Sequence, residues 1–279
     1  MFHSATLALL SASSMAAGAI NSVAGGGTVL SFPSLLAAGV TPVMANGTNT
    51  IALVPGALSS AYGYRSEMGK SKRFLLWMLV PSVIGGGIGA LLVLAAGDSI
   101  FKMLVPWLIL GATVLFVSQE PISRAMKSAQ ERAKARIEAA GEEVAGTDHD
   151  PEDPRGRRLA SVLFYQFLVA IYGGFFGAGI GILQLASLGF LGMTNIHRMN
   201  CVKNVTSATI NLVAAIAFIL HHKIHWPFAL LMGIGAIIGG YGGAGIARKI
   251  GQKRVRKIVI GIGFSIAALM FWRQMHGGM

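Results

Sequence analysis

The stretch Asn21-Ser-Val-Ala-Gly-Gly-Gly-Thr-Val-Leu-Ser-Phe-Pro33 interrupts a run that is otherwise apolar and carries no Lys, Arg, Asp or Glu from Ser4 to Tyr64. About 20 apolar residues cross a bilayer, so a run of this length must fold back on itself. A continuous helix gains nothing from three glycines and a proline. Non-helical backbone at membrane depth survives only where it lines a cavity or is buried in protein. A helix that starts there points free N–H groups and the positive end of its dipole inward, and anions bind such ends. The stretch therefore predicts a ligand cradle. Gly25, Gly26 and Gly27 let the backbone turn and a ligand approach, and Thr28 and Ser31 add hydroxyls. Pro33 is tolerated early in a short helix, where N–H groups lack partners. The competing reading is close helix packing, which small residues also serve.

Composition sets the class. Of 279 residues, 53% are hydrophobic and 12% charged, with a mean hydropathy of +0.63. This is an all-α polytopic membrane protein, with the lipid bilayer as its surroundings. Met1, Phe2 and His3 supply no positive charge ahead of the apolar run, so a signal peptide is not expected. One cysteine, Cys201, excludes a disulfide framework and a cysteine metal cluster. The net charge of +12 does not point to nucleic acid, because nine of the 11 acidic residues lie between Glu120 and Asp153 and the basic residues elsewhere fall mostly in short loops. That polar stretch, residues 119–158, reads as a cytoplasmic linker. Its composition predicts a helix from Ile122 to Ala140 and a loop from Gly141 to Gly156.

A shift of 154 residues aligns the chain with itself without a gap. Gly25 and Gly27 fall on Gly179 and Gly181, Asn46 on Asn200, Gly85 and Gly86 on Gly239 and Gly240, and Gly89 on Gly243. The division is a first membrane repeat at 1–118 and a second at 159–279, each with five apolar segments. The second segment of each, Thr28 to Ala38 and Ile182 to Gly192, is too short to span and reads as a broken or re-entrant helix. Loop charges then orient the repeats. Arg65, Lys70, Lys72 and Arg73 crowd one loop, whose partner holds only Lys223. The loop after Ala96 holds Asp98 and Lys102, whereas its partner carries Arg248, Lys249, Lys253, Arg254, Arg256 and Lys257. Basic loops face the cytoplasm, so the repeats are inverted and both termini face away from it. Inverted repeats with broken helices are a transporter design, with the substrate site at their interface.

A second polar cluster, Asn46-Gly-Thr-Asn-Thr50, opposes Asn200-Cys-Val-Lys-Asn204, and both open long apolar segments. Asn46, Thr48, Asn49, Asn200 and Asn204 can cap a helix or bind a ligand. Lys203 is a charge inside a membrane segment, which suggests function by default. No acidic residue of the second repeat can pair with it, and an anionic substrate is the simplest partner. The alternative is a lysine near the interface that snorkels, as the nearby Arg198 would allow. The absence of membrane carboxylates argues against cation transport. His221, His222 and His225, with Lys223 among them, read as a solvated loop and not as a metal site.

These residues resemble the sulfite exporter TauE/SafE family: Ala24-Gly-Gly-Gly-Thr-Val-Leu-Ser-Phe-Pro33, Ala45-Asn-Gly-Thr-Asn-Thr50, and Gly174-Phe-Phe-Gly-Ala-Gly-Ile-Gly181. The likeness covers nearly the whole chain except the insert at 119–158. It implies a bacterial inner-membrane protein that moves sulfite or organosulfonates outward. Composition itself indicates only an anion. The expectation is a secondary transporter working by alternating access, with a channel of the same fold as the alternative. The expected substrate-binding residues are Gly25, Gly26, Gly27, Thr28, Asn46, Thr48, Asn49, Gly179, Gly181, Asn200, Lys203 and Asn204. No cofactor, metal, catalytic group or nucleic-acid partner is expected. An enzyme would need a nucleophile, an acid–base pair or a metal cluster. Coupling ion and homo-oligomerisation are left open.

Overall fold

The computed structural model describes residues 4–23, 26–63, 72–139, 157–190, 193, 195–250 and 252–276. Among them every regular element is a helix. α1 is Ser4–Val23, α2 Thr28–Ala37, α3 Pro42–Gly63, α4 Lys72–Ala139, α5 Arg157–Phe175, α6 Ile180–Phe190, α7 Ile196–Leu220, α8 Trp226–Ile250 and α9 Gln252–Met275. α4 is two helices joined at Gly97, whose backbone (φ 68°, ψ 177°) lies outside helical space and in a region that favours glycine. Its arms are 72–96 and 98–139. The second arm carries the helix expected after Ile122 through to Ala139, while the loop expected at 141–156 lies outside the described residues.

Helix starts repeat at the spacing found in the sequence. A shift of 154 carries Pro42 to Ile196 and Lys72 to Trp226, the first residues of α3 and α7 and of α4 and α8. The short helices α2 and α6 contain 10 and 11 residues. At 1.5 Å per residue each is about 15–17 Å long, roughly half the hydrocarbon thickness.

Packing exchanges elements between the two halves of the chain. α1 runs along α8, α5 along the first arm of α4, and α3 against α7. Glycines make the first two crossings. A Cβ on Gly239 would strike the Met15 backbone, and one on Gly18 the Ala236 backbone. Likewise a Cβ on Gly85 would meet Ala170 and the Phe167 carbonyl, and one on Gly174 the Gly86 backbone. Gly85 and Gly239 are one shift apart, so the same register position makes both contacts. Close approach of helix backbones is thus what Gly18, Gly85, Gly174 and Gly239 serve.

The outer faces are apolar. Leu76, Val80, Trp107, Phe164, Leu230 and Ile234 are all more than half exposed. Trp77, Trp226 and Trp272 also lie on the surface. A soluble protein with such a surface would aggregate, whereas lipid accepts it. Lys72–Ile122 and Arg198–Leu220 are long and apolar enough to cross a membrane. Polar residues turn inward instead: Thr28, Ser31, Asn46, Thr48, Asn49, Gln166, Gln184, Lys203, Asn204 and Thr206 are buried.

Candidate functional site

The breaks before α2 and α6 meet at the centre. Phe32 on α2 packs edge-on against Phe176, with ring centroids 5.2 Å apart, and against Phe101 at 6.2 Å. Phe101 in turn meets Phe175 at 5.6 Å. This aromatic cluster ties α2 to the chain that links α5 and α6. Over it lies a cavity of about 60 Å³, with Asn21, Gly26, Thr28, Phe176, Gly177, Ile180 and Gly181 along the two breaks. Asn49, Thr50, Leu53 and Ala57 close it from α3, and Lys203, Asn204, Ser207 and Asn211 from α7. Each member of the α3 set lies 154 residues before its counterpart in the α7 set.

The cavity is polar in an uneven way. Lys203 is 2% exposed, and its Nζ has no hydrogen-bond partner. Asn204 Nδ2 and Asn49 Oδ1 are likewise buried and unpartnered. Among the described residues the ion pair is Arg124–Glu120, on the surface of the second arm of α4. Asp98, one of the two acids outside the linker, accepts the Val43 N–H at 2.9 Å at the start of α3. The other, Glu67, lies outside the described residues. An uncompensated ammonium in a low-dielectric interior costs several kcal/mol. Two unpartnered donors in one small cavity define a place where an anion would relieve that cost.

Several expected residues turn out to be otherwise engaged. Both the Gly26 and the Gly27 N–H donate to Asn21 Oδ1, at 2.7 Å each. The start of α2 is capped from within the chain, so those amides are not the free donors that the glycine run suggested. Gly27 also packs on α1, where a Cβ would strike the Ala17 backbone. Gly26 keeps its place at the cavity with φ 111°, and a side chain there would enter the Phe116 ring. Gly25 lies outside the described residues.

Asn46 Nδ2 donates to the Phe175 carbonyl at 2.9 Å, tying α3 to the end of α5. Thr48 Oγ1 accepts the His225 N–H at 2.9 Å, tying α3 to the loop before α8. Asn46, Thr48, Gly179 and Asn200 do not line the cavity. Thr28, Asn49, Gly181, Lys203 and Asn204 do. Thr28 Oγ1 accepts from Asn49 Nδ2 at 3.4 Å, which joins α2 to α3 at the cavity wall.

The expected list omitted Asn21, Thr50, Ser207 and Asn211. The signal for two of them was present, since 203, 207 and 211 fall on one face of α7 at steps of four. Ser207 is held from behind: its Oγ donates to Gln184 Oε1 at 2.6 Å, and Gln184 Nε2 donates to Thr206 Oγ1 at 3.0 Å. In the loop before α8, His221 and His222 are exposed, and His225 stacks on Phe228 at 4.0 Å.

The chain is similar in sequence to known membrane proteins. The sequence profile of the sulfite exporter TauE/SafE family matches residues 10–270. A probable membrane transporter protein of Haemophilus influenzae is 28% identical over 272 residues, covering 96% of this chain and 95% of its own length. The probable membrane transporter protein YfcA of Escherichia coli K12 is 24% identical over 266 residues, covering 94% of this chain and 88% of its own. The probable membrane transporter protein ORF9 of a Sinorhizobium species is 24% identical over 277 residues, covering 99% and 95%. No solved structure matches. With nearly its whole length matched, the chain belongs to the sulfite exporter TauE/SafE family of membrane transporters.

Proposed function

We propose that this protein is a secondary transporter that carries small sulfur-containing anions, sulfite or small sulfonates, outward across the bacterial inner membrane. One observation carries the anion reading. Lys203 Nζ and Asn204 Nδ2 are buried donors without partners, on one small cavity lined at equivalent register positions of α3 and α7. On a comparable measure a water needs about 10–15 Å³, so this cavity suits an ion of a few heavy atoms. Sulfur and the outward direction come from the family's description alone.

In this reading residues 1–118 and 159–279 are two multi-pass repeats of opposite orientation in the membrane, and 119–158 is the cytoplasmic linker between them. Alternating access is then a rocking of α1 with α8 against α5 with the first arm of α4, about the cavity held between α3, α7 and the two breaks. Lys203 supplies the charge, while Asn204, Asn211, Thr28 and Asn49 orient the anion, and Ser207, whose hydroxyl is given to Gln184, shapes the wall.

The test is flux in proteoliposomes. Sulfite and a panel of small sulfonates are offered with chloride and sulfate as controls, with and without a pH gradient. Saturable sulfur-anion flux with counter-exchange, lost in Lys203→Ala, supports the proposal. A response to the gradient adds proton coupling. Unsaturable flux without counter-exchange would make the protein a channel. Folded protein that moves none of these anions refutes the substrate class.

A further inference from the structure

A second, much larger recess lies on the outer face. It holds about 790 Å³ between α1, α2, α9 and the start of the second arm of α4, and shares no lining residue with the Lys203 cavity. Pockets of about 300–1,000 Å³ take ligands of drug size or larger. Its walls are apolar, with Leu9, Leu30, Ile262 and Leu269 among them. The two hydroxyls on the wall are already satisfied. Ser13 and Ser34 meet at 2.8 Å, and they also reach the Leu10 and Ser31 carbonyls. The body of the groove therefore offers no unmet polar group to a ligand.

One end is different. Where Gly39, Val40 and Pro42 lead from α2 into α3, the groove is closed by Lys102 and Arg273. Lys102 is half-buried and Arg273 exposed. Neither makes an ion pair with any described residue. The nearest acid to Lys102 along the chain, Asp98, accepts the Val43 N–H through Oδ1, makes no ion pair with a described residue and does not line the groove. A long apolar trough ending in two unpaired cations matches one common shape, an acyl chain with an anionic head.

We propose that this groove binds an anionic phospholipid, with an acyl chain between α1, α2 and α9 and the phosphate at Lys102 and Arg273. The site bears on transport through geometry. α2 forms one wall of the groove with Leu30, Pro33, Ser34 and Leu36, while Thr28 at its other end lines the Lys203 cavity. A lipid seated here braces the short helix whose start borders the anion cavity.

The full chain, purified in neutral detergent, would be titrated with phosphatidylglycerol and with phosphatidylcholine of the same acyl chains. Native mass spectrometry reads retention, and thermal unfolding reads stabilisation. Phosphatidylglycerol should be retained and should raise the melting temperature, whereas phosphatidylcholine and free glycerol phosphate should do neither. A cation near an anionic lipid contributes about fivefold in affinity, so Lys102→Ala with Arg273→Ala should weaken phosphatidylglycerol by about 25-fold. The detergent-only melting temperature of that variant should not change, because the two side chains make no ion pair with any described residue. Ala16→Trp, which fills the trough and keeps both cations, should also release the lipid. Equal retention of both lipids, an unchanged preference in the double variant, or an equal shift with glycerol phosphate alone overturns the proposal. So does a lipid-free dimer that the Ala16→Trp change breaks, since the groove would then be an interface between two copies.

Discussion

The cavity face of α3 and that of α7 share one register and differ in chemistry. Asn49, Thr50, Leu53 and Ala57 on α3 stand opposite Lys203, Asn204, Ser207 and Asn211 on α7. The first set fades from polar to apolar along the helix, while the second stays polar throughout. The two breaks differ as well. Before α2, Asn21 takes up the amides of Gly26 and Gly27. Before α6, the corresponding turn has positive φ at Gly177 and Gly179, and the Tyr172 hydroxyl donates to the Ala178 carbonyl at 2.7 Å. The register is shared, and the chemistry is not. Positions 154 residues apart on α3 and α7 line one cavity, and the ammonium on its wall comes from α7. A single ammonium is enough for a small anion, and a second would face it across the same small space at a high electrostatic cost.

Breaking this asymmetry at Lys203 should have the largest effect. Lys203→Met keeps the length and removes the charge. A hydrogen bond to a charged group contributes about 1.5–3 kcal/mol, so anion affinity should fall by about 10- to 150-fold in a binding titration. The melting temperature without anion should hold or rise, because an unpartnered buried charge has been removed. A lower melting temperature with unchanged affinity would make Lys203 a structural residue.

The helix crossings come next, and they sharpen the comparison within one helix. Gly239→Ala pushes a Cβ into the Met15 backbone, whereas a Cβ on Gly240 meets nothing within 4 Å. Overpacking costs about 1–3 kcal/mol, so the first change should lower thermal stability or yield. Gly240→Ala should leave both within experimental error. Equal behaviour of the two variants would contradict the crossing of α1 and α8.

The α7 face gives a smaller effect. Asn211→Ala makes that position match Ala57, and loss of a neutral hydrogen bond of about 1 kcal/mol should weaken anion binding roughly fivefold. An unchanged affinity would confine the anion to the Lys203 end. The smallest effect is expected at Asn21→Ala, which uncaps α2. Loss of a helix cap costs about 1 kcal/mol, and it should appear as faster amide exchange at Gly26 and Gly27 with the rest of the protein unchanged. Protection retained there would mean another group caps α2.

Much of the helix pattern was legible in the chain itself. Charge-free runs, the glycine breaks and the 154-residue spacing are local or periodic signals, and helices form over the segments they marked. Lys203 stood out for the same reason, since one ammonium among apolar residues is visible without coordinates. Other features were beyond reach. The glycine run before Thr28 looks like a row of free amides until Asn21 folds back onto it, because a side-chain cap depends on a turn and not on composition. Nothing in the run beside Asn49 shows that Asn46 Nδ2 binds the Phe175 carbonyl or that Thr48 Oγ1 accepts the His225 amide. Those partners are more than a hundred residues away in sequence.

By itself the sequence pointed to an all-helical membrane protein with a 154-residue recurrence, short second helices and a lysine within an apolar segment. Periodicity and the cost of charge in lipid act on neighbours along the chain, so they can be read there. Only the tertiary structure decided which polar groups serve each other and which are left to face a cavity. Hydrogen bonds and close glycine contacts are made between distant segments, and their geometry exists only once α1 lies on α8 and α3 on α7.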